Sequence, residues 1–310
     1  MTWLLGKLYK RSFLAWVFLS VFGFVAILAA WQWFRPIMTS VAMQRCLDPS
    51  VHSCSPGLLD TLSSFARFNR HLGEVLLAVP ILMGVFVGAP LIARELENGT
   101  HRLIWTQGIT PQLWFIKRAG VGVAFGTILA LLIGLAVAAW LGIASNVSGP
   151  WAEFDNYLPV FLAYAVFALT LGIAAGTIAS RSVPAMAVTL FVWIASRGAF
   201  GIFVRPDLIP PLIKRGPAAS DDWIVGQTYV DSHGRIWSEA QVDDLLRQLG
   251  GGGPNLDLTL QQHGIFPSLL IQPASRFWMF QGLEAAAFIL LSLICLALAL
   301  GWVRWRLARQ

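Results

Sequence analysis

The sequence predicts an all-α polytopic membrane protein with six transmembrane helices and a small extracytoplasmic α+β cap between the fifth and sixth spans. Of the 310 residues, 56% are hydrophobic and 12% are charged, whereas soluble domains carry about 25% charged residues. Six apolar stretches are each long enough to cross a bilayer, which takes roughly 20 residues. A long polar stretch separates the last two of them and carries turn and capping signals of its own.

The six apolar stretches are the candidate transmembrane spans. They cover residues 13–34, 75–93, 119–144, 157–179, 183–204 and 280–303. Several begin or end with tryptophan, which is typical of the membrane–water interface. Residues 1–12 combine apolar and basic side chains. We interpret them as a helix that lies in the cytoplasmic interface, or more simply as an anchor.

The distribution of Lys and Arg predicts the orientation of the chain. The loop of residues 145–156 contains neither type, whereas residues 94–118 contain four such side chains. Because cytoplasmic loops carry an excess of Lys and Arg, both termini are predicted to be cytoplasmic. Residues 13–204 then hold five spans, residues 205–279 form the cap, and residues 280–310 hold the sixth span with a basic tail. The net charge of +6 is explained by this orientation rather than by binding of nucleic acid.

Two of the three cysteines, Cys46 and Cys54, share a polar loop after the first span. On an oxidising face of the membrane they can form a disulfide, and the sequence leaves the bridged and the reduced states open. The third, Cys295, lies within an apolar stretch. No Cys-x-x-Cys pair or Cys/His cluster occurs in the sequence, which argues against a structural zinc site.

The cap has the signals of a small folded unit. Two apolar stretches flank "DSHG", which predicts a β-hairpin. Ser238 and Gln241 have the spacing of a capping box for a helix that ends at Gly250. Several acidic residues and His233 also occur here, and we interpret them as a solvated face rather than as a metal site.

Two ionisable residues, Arg197 and Glu284, lie inside predicted spans. A charge within the membrane is costly, so it is a functional hypothesis by default. Arg197 is also near enough to the outer end of the fifth span to extend its side chain to the interface, and both interpretations stay open. Glu284, early in the sixth span, is predicted to pair with Arg197 or Arg276.

Three spans contain glycines that are four residues apart. Small residues at this spacing allow helix backbones to approach closely in lipid, so the pattern predicts a tightly packed bundle without specifying a dimer. The pairs are Gly84/Gly88, Gly122/Gly126 and Gly172/Gly176.

The polar segment of residues 94–118 interrupts the spans in a structured way. Gly99 is predicted to end the helix that extends from the second span. Thr100 is the predicted N-cap of a short helix that Gly108 closes. Thr110 followed by Pro111 is a start signal for the next helix, because Thr caps well and Pro suits the first helical position.

Motifs of catalysis are absent from the sequence. It contains no phosphate-binding loop of the form Gly-x-x-x-x-Gly-Lys-Ser/Thr, and neither His-Glu-x-x-His nor Gly-x-Ser-x-Gly. The first absence predicts that the chain does not hydrolyse ATP by that route. The other two argue against the commonest intramembrane hydrolases, so we expect the chain not to be an enzyme.

The stretch "ARELENGTHRLIWTQGITPQLWFIKR" resembles the cytoplasmic segment of ABC transporter permeases of the type-2 exporter class. The residues in comparable places are Glu95, Glu97, Gly99, Thr100, Thr106, Thr110, Pro111 and Lys117. The stretch "QPASRFWMFQGLE", with the last span and "RWR", resembles bacterial members of that class. The resemblance covers the six spans in order and is looser in the outer segments. There the cap is larger than the resemblance leads us to expect.

The resemblance implies a permease subunit in the bacterial cytoplasmic membrane that forms a homodimer or pseudo-dimer and couples to a separate ATP-binding subunit. ATP and Mg would be bound by that partner, with no cofactor in this chain. It also implies that the short helix docks on the ATPase, and the predicted docking residues are Glu95, Glu97, Arg102 and Trp105. Alternatively, the two glutamates pair with Arg94 and Arg102 at the surface, where ion pairs contribute little.

Two functions are therefore considered. In the first, the chain exports an amphipathic molecule such as a drug, an antibiotic or a lipid-like compound, because aromatic and weakly charged spans suit such a cargo better than an ion. In the second, the chain is a non-transport scaffold or sensor whose cap binds a ligand or partner. An ATPase that copurifies with the chain would distinguish the first from the second.

Overall fold

The computed structural model describes residues 2–47, 54–248 and 256–305. The chain forms two compact units. The helical unit comprises Met1–Val147, Glu153–Gly198 and Gln281–Gln310. The strand unit comprises Ser148–Ala152 and Ala199–Phe280.

Within the described ranges, six helices are long and apolar enough to cross a membrane, which confirms the predicted number of spans. Their bounds are Leu14–Met38, Pro56–Glu97, Pro111–Ser148, Leu158–Ala179, Ser182–Asp207 and Ala274–Trp305. Most of these helices run beyond the apolar stretches of the sequence. A helix, once formed, adds a backbone hydrogen bond with each further residue, so polar residues continue it beyond the hydrocarbon.

The chain begins with α1 (Thr2–Met38) and α2 (Val41–Leu47). Residues 2–12 are helical and continue without a break into the first span. Cys46, on α2, forms a disulfide with Cys54. The bridge therefore joins the end of α2 to the residues that precede the next helix.

A count of free thiols checks this bridge. We expect a maleimide to modify one cysteine, Cys295, when the chain is denatured without reductant, because Cys295 is the free cysteine in the structure. The same protein treated with reductant before labelling should show three modified residues and serves as the control. Three labels without reductant would exclude the disulfide.

The second span is a long helical column of three parts. It starts with α3 (Pro56–Met83), continues through a π-helical turn (Gly84–Gly88) and ends with α4 (Ala89–Glu97). Pro56 occupies the first helical position, where its missing N–H costs nothing. The column therefore begins well before residue 75, where the apolar stretch starts.

The next helices follow in chain order. They are α5 (Thr100–Trp105), α6 (Pro111–Ser148), a 3₁₀ helix (Trp151–Asn156), α7 (Leu158–Ala179) and α8 (Ser182–Ala199). A π-helical turn (Phe200–Val204) and a 3₁₀ turn (Arg205–Asp207) extend the fifth span from α8.

Helix α7 is the most buried of the spans. In its most apolar window 78% of the residues are buried, against 11% in the first and fifth spans. It packs against α3, the π-helical turn and α4. The second and fourth spans therefore form the centre of the helical unit, whereas few residues of the first and fifth spans are buried.

Two of the three glycine pairs of the sequence lie where the second span meets α7. A Cβ on Gly84 would lie 2.5 Å from the carbonyl oxygen of Ala168, and one on Gly88 would lie 2.6 Å from that of Leu169. Gly172 and Gly176, on α7, face the backbone of the second span in the same way. The predicted tight packing is confirmed at these two pairs, where helix backbones touch.

The strand unit contains a four-stranded antiparallel sheet with the order β1-β4-β2-β3 in the described part of the chain. Its elements, with the last helix of the chain, are β1 (Leu212–Arg215), β2 (Trp223–Asp231), β3 (Ile236–Trp237), α9 (Glu239–Gln248), α10 (Leu256–Gln262), β4 (Ile265–Gln272) and α11 (Phe277–Trp305). These strands are roughly consistent with the predicted α+β cap, so "all-α" describes the spans alone.

The predicted hairpin and capping box are both present. Strands β2 and β3 pair on either side of "DSHG", with Tyr229 opposite Trp237. The Ser238 backbone N–H donates to Gln241 Oε1 at 3.0 Å, and the Gln241 N–H donates to Ser238 Oγ at 3.3 Å. Gly250, the predicted end of the helix, lies outside the described residues. Strands β1 and β4 were not predicted.

Candidate functional site

The polar segment between the second and third spans forms a short helix between two tight turns. Helix α4 ends at Glu97, and Gly99 takes a φ of +69°, as expected for a residue that ends a helix. At the other end the Leu113 N–H donates to Thr110 Oγ1 at 3.3 Å, which confirms that cap. Thr100 differs from its prediction: it is the first residue of α5, and its hydroxyl donates to the carbonyl of Glu95 at 3.3 Å.

A buried ion pair holds this segment together. Arg118 of α6 pairs with Glu95 of α4, and their side chains are only 8% and 9% exposed. Trp114 Nε1 donates to the other oxygen of the Glu95 carboxylate at 2.9 Å. His101 Nδ1 lies 3.0 Å from the Glu95 carbonyl oxygen, which ties α5 to the same residue. Glu95 thus connects α4, α5 and α6.

These contacts correct one sequence-based assignment. Glu95 was predicted to meet a docking partner, or else to pair with a neighbouring arginine at the surface. Its carboxylate instead lies inside the protein against Arg118 and Trp114. Isolated charges are too costly to bury, and the contacts with Arg118 and Trp114 compensate the Glu95 carboxylate, which is not part of the exposed face of α5.

Glu97 connects α4 to α8. Its carboxylate accepts hydrogen bonds from the Ser182 backbone N–H at 3.0 Å and from the Ser182 hydroxyl at 2.9 Å. Ser182 is the first residue of α8. A carboxylate satisfies unpaired N–H groups at a helix N-terminus and is favoured there by the helix dipole. The end of the second span therefore caps the start of the fifth.

The outer face of α5 remains accessible. Arg102 is exposed, and Leu103 is 66% exposed. Trp105 is half-buried, with its ring edge-on to His101 at 4.7 Å between centroids, and its Nε1 has no hydrogen-bond partner among the described residues. A cavity of about 430 Å³ lies here, lined by His101, Arg102, Trp105 and Thr106.

A second polar group lies at the other end of the helical unit. Arg197 of α8 pairs with Asp155 of the 3₁₀ helix, and their side chains are 27% and 17% exposed. The hydroxyl of Tyr164 donates to Glu284 of α11, which is fully buried, and lies 3.3 Å from Asp155 Oδ1. Glu284 was predicted to pair with Arg197, and the structure shows Asp155 as an ion-pair partner of Arg197.

Arg276, the other predicted partner of Glu284, is satisfied within the strand unit. Its Nη1 donates to the carbonyl of Pro210 at 2.8 Å and to Gln272 Oε1 at 3.0 Å. Asp155 was missed because the charge count of its loop considered Lys and Arg alone. The position of Asp155 just before the fourth span is the sequence signal that could have predicted it as a partner for an arginine within a span.

A second polar network, centred on Glu153, lies in the same helical unit and was also not predicted. Glu153 Oε1 accepts a hydrogen bond from Asn69 at 2.6 Å, and its Oε2 accepts one from Asn156 at 2.8 Å. Asn69 Oδ1 in turn accepts one from Trp140 Nε1 at 2.8 Å. Burial raises the pKa of Glu153 above its ordinary value, although the two amide donors act in the opposite direction.

Six candidate spans and an ion-paired helical segment between two of them define a multi-pass membrane protein. The model of the family "ABC-2 membrane transporter related" matches residues 4–205, which is more than half of the chain. The chain belongs to this family and is a component of a membrane transporter. The family implies, in general, a partnership with an ATP-binding subunit. No curated protein and no solved structure matches the chain significantly.

Proposed function

We propose that this chain is the permease subunit of an ATP-driven exporter that moves an amphipathic molecule across the cytoplasmic membrane. A separate subunit binds ATP and Mg, and two copies of the permease form the pathway. The observation that carries the proposal is the way in which α5 is held. The buried Glu95–Arg118 pair joins the two neighbouring spans, and bonds from Thr100 and His101 to the Glu95 carbonyl attach the short helix to α4, while its outer face stays open.

The docking surface consists of the exposed side of α5. Arg102 supplies a charge, Leu103 supplies an exposed apolar side chain, and Trp105 supplies a half-buried ring at the cavity. Aromatic residues and arginine are enriched among the residues that dominate binding at interfaces. Glu97, at the end of α4, is bonded to Ser182 of α8, and Glu95 supports the short helix from inside.

The contacts of this segment give it a way to transmit movement. Displacement of α5 acts on α4 and α6 through Glu95, His101 and Arg118. It acts on α8 through the bond between Glu97 and Ser182. A permease needs an element whose arrangement its motor can bias, and rigidly packed helices move as units rather than deform gradually.

The spans support the choice of cargo and the second copy. The first and fifth spans bury 11% of their most apolar windows within the chain, so large apolar surfaces remain for lipid, for a partner copy and for an apolar cargo. The ionisable groups described within the bundle are engaged with one another, as Arg197 is with Asp155. An amphipathic molecule suits such a surface better than a small ion does.

Charge reversal on α5 tests the docking surface. When the tagged chain is isolated from its own cells in detergent, we expect an ATP-binding subunit to accompany it in roughly equal amount. Arg102→Glu combined with Leu103→Asp should reduce this recovery about tenfold or more, because loss of one dominant interface residue, a class enriched in arginine, costs about 2 kcal/mol or more. Quantitative mass spectrometry of the eluate measures the ratio.

Arg70→Glu is the matched control, since Arg70 is equally exposed but lies on α3. It should leave the recovery unchanged. If the double variant retains the ATP-binding subunit as well as the control does, the docking surface lies elsewhere. A chain that is isolated alone, as a stable oligomer, would favour the scaffold or sensor function.

A further inference from the structure

The strand unit contains a cavity of about 390 Å³ that has no part in the proposed docking. One side comes from the stretch that follows α6, and the other comes from the start of β2 with the turn before it. The lining residues are Ser148, Gly149, Trp151, Ala152, Ser220, Asp221, Asp222, Trp223 and Ile224. Its size suits a small organic molecule, and both sides belong to the same compact unit.

Two tryptophans supply the apolar wall of the cavity. The rings of Trp151 and Trp223 are 5.2 Å apart between centroids and inclined by 32°. This distance is too short for a ligand between them, so the pair presents one extended aromatic surface. Trp151 is packed edge-on against Phe277 and Phe280, each at 5.3 Å. Both phenylalanines are buried, so they hold the indole surface in place without a ligand.

The backbone fixes the two sides of the cavity against each other. Gly149 has a φ of +72°, and a Cβ at this position would lie 3.0 Å from the carbonyl oxygen of Ser220. Only glycine combines this conformation with such a close approach. The stretch before Trp151 is therefore held against the turn that carries the acidic residues.

The charge on the lining residues is negative. Asp222 accepts hydrogen bonds from Lys214 Nζ at 2.9 Å and from the Ala219 N–H at 3.0 Å. These bonds hold the pKa of Asp222 below its ordinary value, so it is ionised at neutral pH. Asp221 is exposed and makes no ion pair with any described residue. Lys214 neutralises Asp222, and Asp221 leaves the cavity with a net negative charge.

We propose that this cavity binds a small amphipathic organic cation. The cationic group is held over the indole surface and close to Asp221, and its apolar part contacts Trp151, Trp223 and Ile224. A cation within about 6 Å of a tryptophan ring is attracted by the electrons of its face, and a nearby carboxylate adds to that attraction. Binding at this cavity is separate from the proposed docking and does not depend on an ATP-binding subunit.

A binding measurement on the whole chain in lipid nanodiscs, without ATP, tests the site. The probe is benzyltrimethylammonium, and saturation-transfer NMR follows its titration. We expect saturable binding with a Kd of about 1 mM or tighter, as its small size allows. Benzenesulfonate, an anion of similar size, should not saturate. Asp221→Asn should weaken binding of the cation about two- to fivefold, and Trp223→Leu about fivefold or more.

Asp243→Asn is the matched control, because it removes the same charge from an exposed position of α9 that does not line the cavity. This variant should bind the probe as the unaltered chain does. Equal weakening by Asp243→Asn and Asp221→Asn would show that general charge attraction explains the binding and would overturn the proposal. Absence of saturable binding, or equal binding of benzenesulfonate, would overturn it as well. Should Trp223→Leu disturb the fold, Asp221→Asn decides the outcome.

Discussion

Arg118→Met is expected to destabilise the chain by about 3–5 kcal/mol, because it leaves the carboxylate of Glu95 buried without its ion partner. The pair is 8% and 9% exposed, so water cannot replace the lost guanidinium. Trp114 Nε1 still donates to Glu95 at 2.9 Å, but one neutral donor does not offset a buried charge. The apparent melting temperature in detergent should fall by at least about 5 °C.

Two further variants separate the ion pair from a simple loss of volume. Arg118→Met combined with Glu95→Gln removes both charges and keeps an acceptor for Trp114, so it should recover most of the lost stability. Arg70→Met makes the same substitution at an exposed arginine and should change the melting temperature little. The ion pair is not the source of stability if Arg118→Met melts at the same temperature as the Arg70→Met control. The same conclusion holds if the double variant is no more stable than Arg118→Met alone.

The same variants bear on coupling. His101 and Thr100 bond to the backbone carbonyl of Glu95, so loss of the side-chain pair frees α4 from α6 but leaves α5 attached to α4. We expect the charge-free double variant to keep its fold and to bind the ATP-binding subunit nearly as well as the unaltered chain does.

The spans could be predicted from the sequence because hydrophobicity alone decides which stretches enter lipid. Their ends could not. The helix that contains the second span begins at Pro56, well before the apolar stretch that starts at residue 75, since a helix continues through polar residues once its first turns exist. Capping patterns predicted the starts of helices correctly where donor and acceptor lie three residues apart, as they do at Ser238 and Gln241.

Side-chain partners were harder to predict because they are set by tertiary packing. Arg94 and Arg102 were the near neighbours of Glu95 in the sequence, yet its partner, Arg118, lies on a different helix. Asp155 took the place that Glu284 was expected to fill beside Arg197. Local sequence says which residue types need partners, and the arrangement of helices decides which ones they receive.

Strand β4 shows a different limit. It lies between β1 and β2 in the sheet, and Pro267 lies within it, opposite Tyr229. Proline lacks a backbone donor and argues against an interior strand, so the stretch "IFPSLLIQ" carries a local signal that contradicts its structure. Pairing with two neighbouring strands outweighs that signal.

Gly172→Ala is expected to disrupt the contact between the second and fourth spans. The added methyl would meet the carbonyl oxygen of Gly84, lie 2.7 Å from the backbone nitrogen of Ala89 and lie 3.0 Å from the carbonyl carbon of Gly88. All three atoms belong to the backbone, so no side chain can rotate away and the helices must separate. Overpacking costs about 1–3 kcal/mol where side chains can yield, and we expect about 3 kcal/mol or more here.

Gly142→Ala provides the control, because it makes the same change in α6 at a position with nothing within 4 Å of the added carbon. Alanine favours a helix over glycine by up to about 1 kcal/mol, so this variant should be as stable as the unaltered chain or slightly more so. If Gly→Ala lowers the stability in α7 and raises it in α6, the backbone contact of Gly172 is the cause of the loss. Thermal unfolding in detergent gives the apparent melting temperature of each variant. If the Gly172→Ala and Gly142→Ala chains melt at the same temperature, α7 is not packed directly on the backbone of the second span.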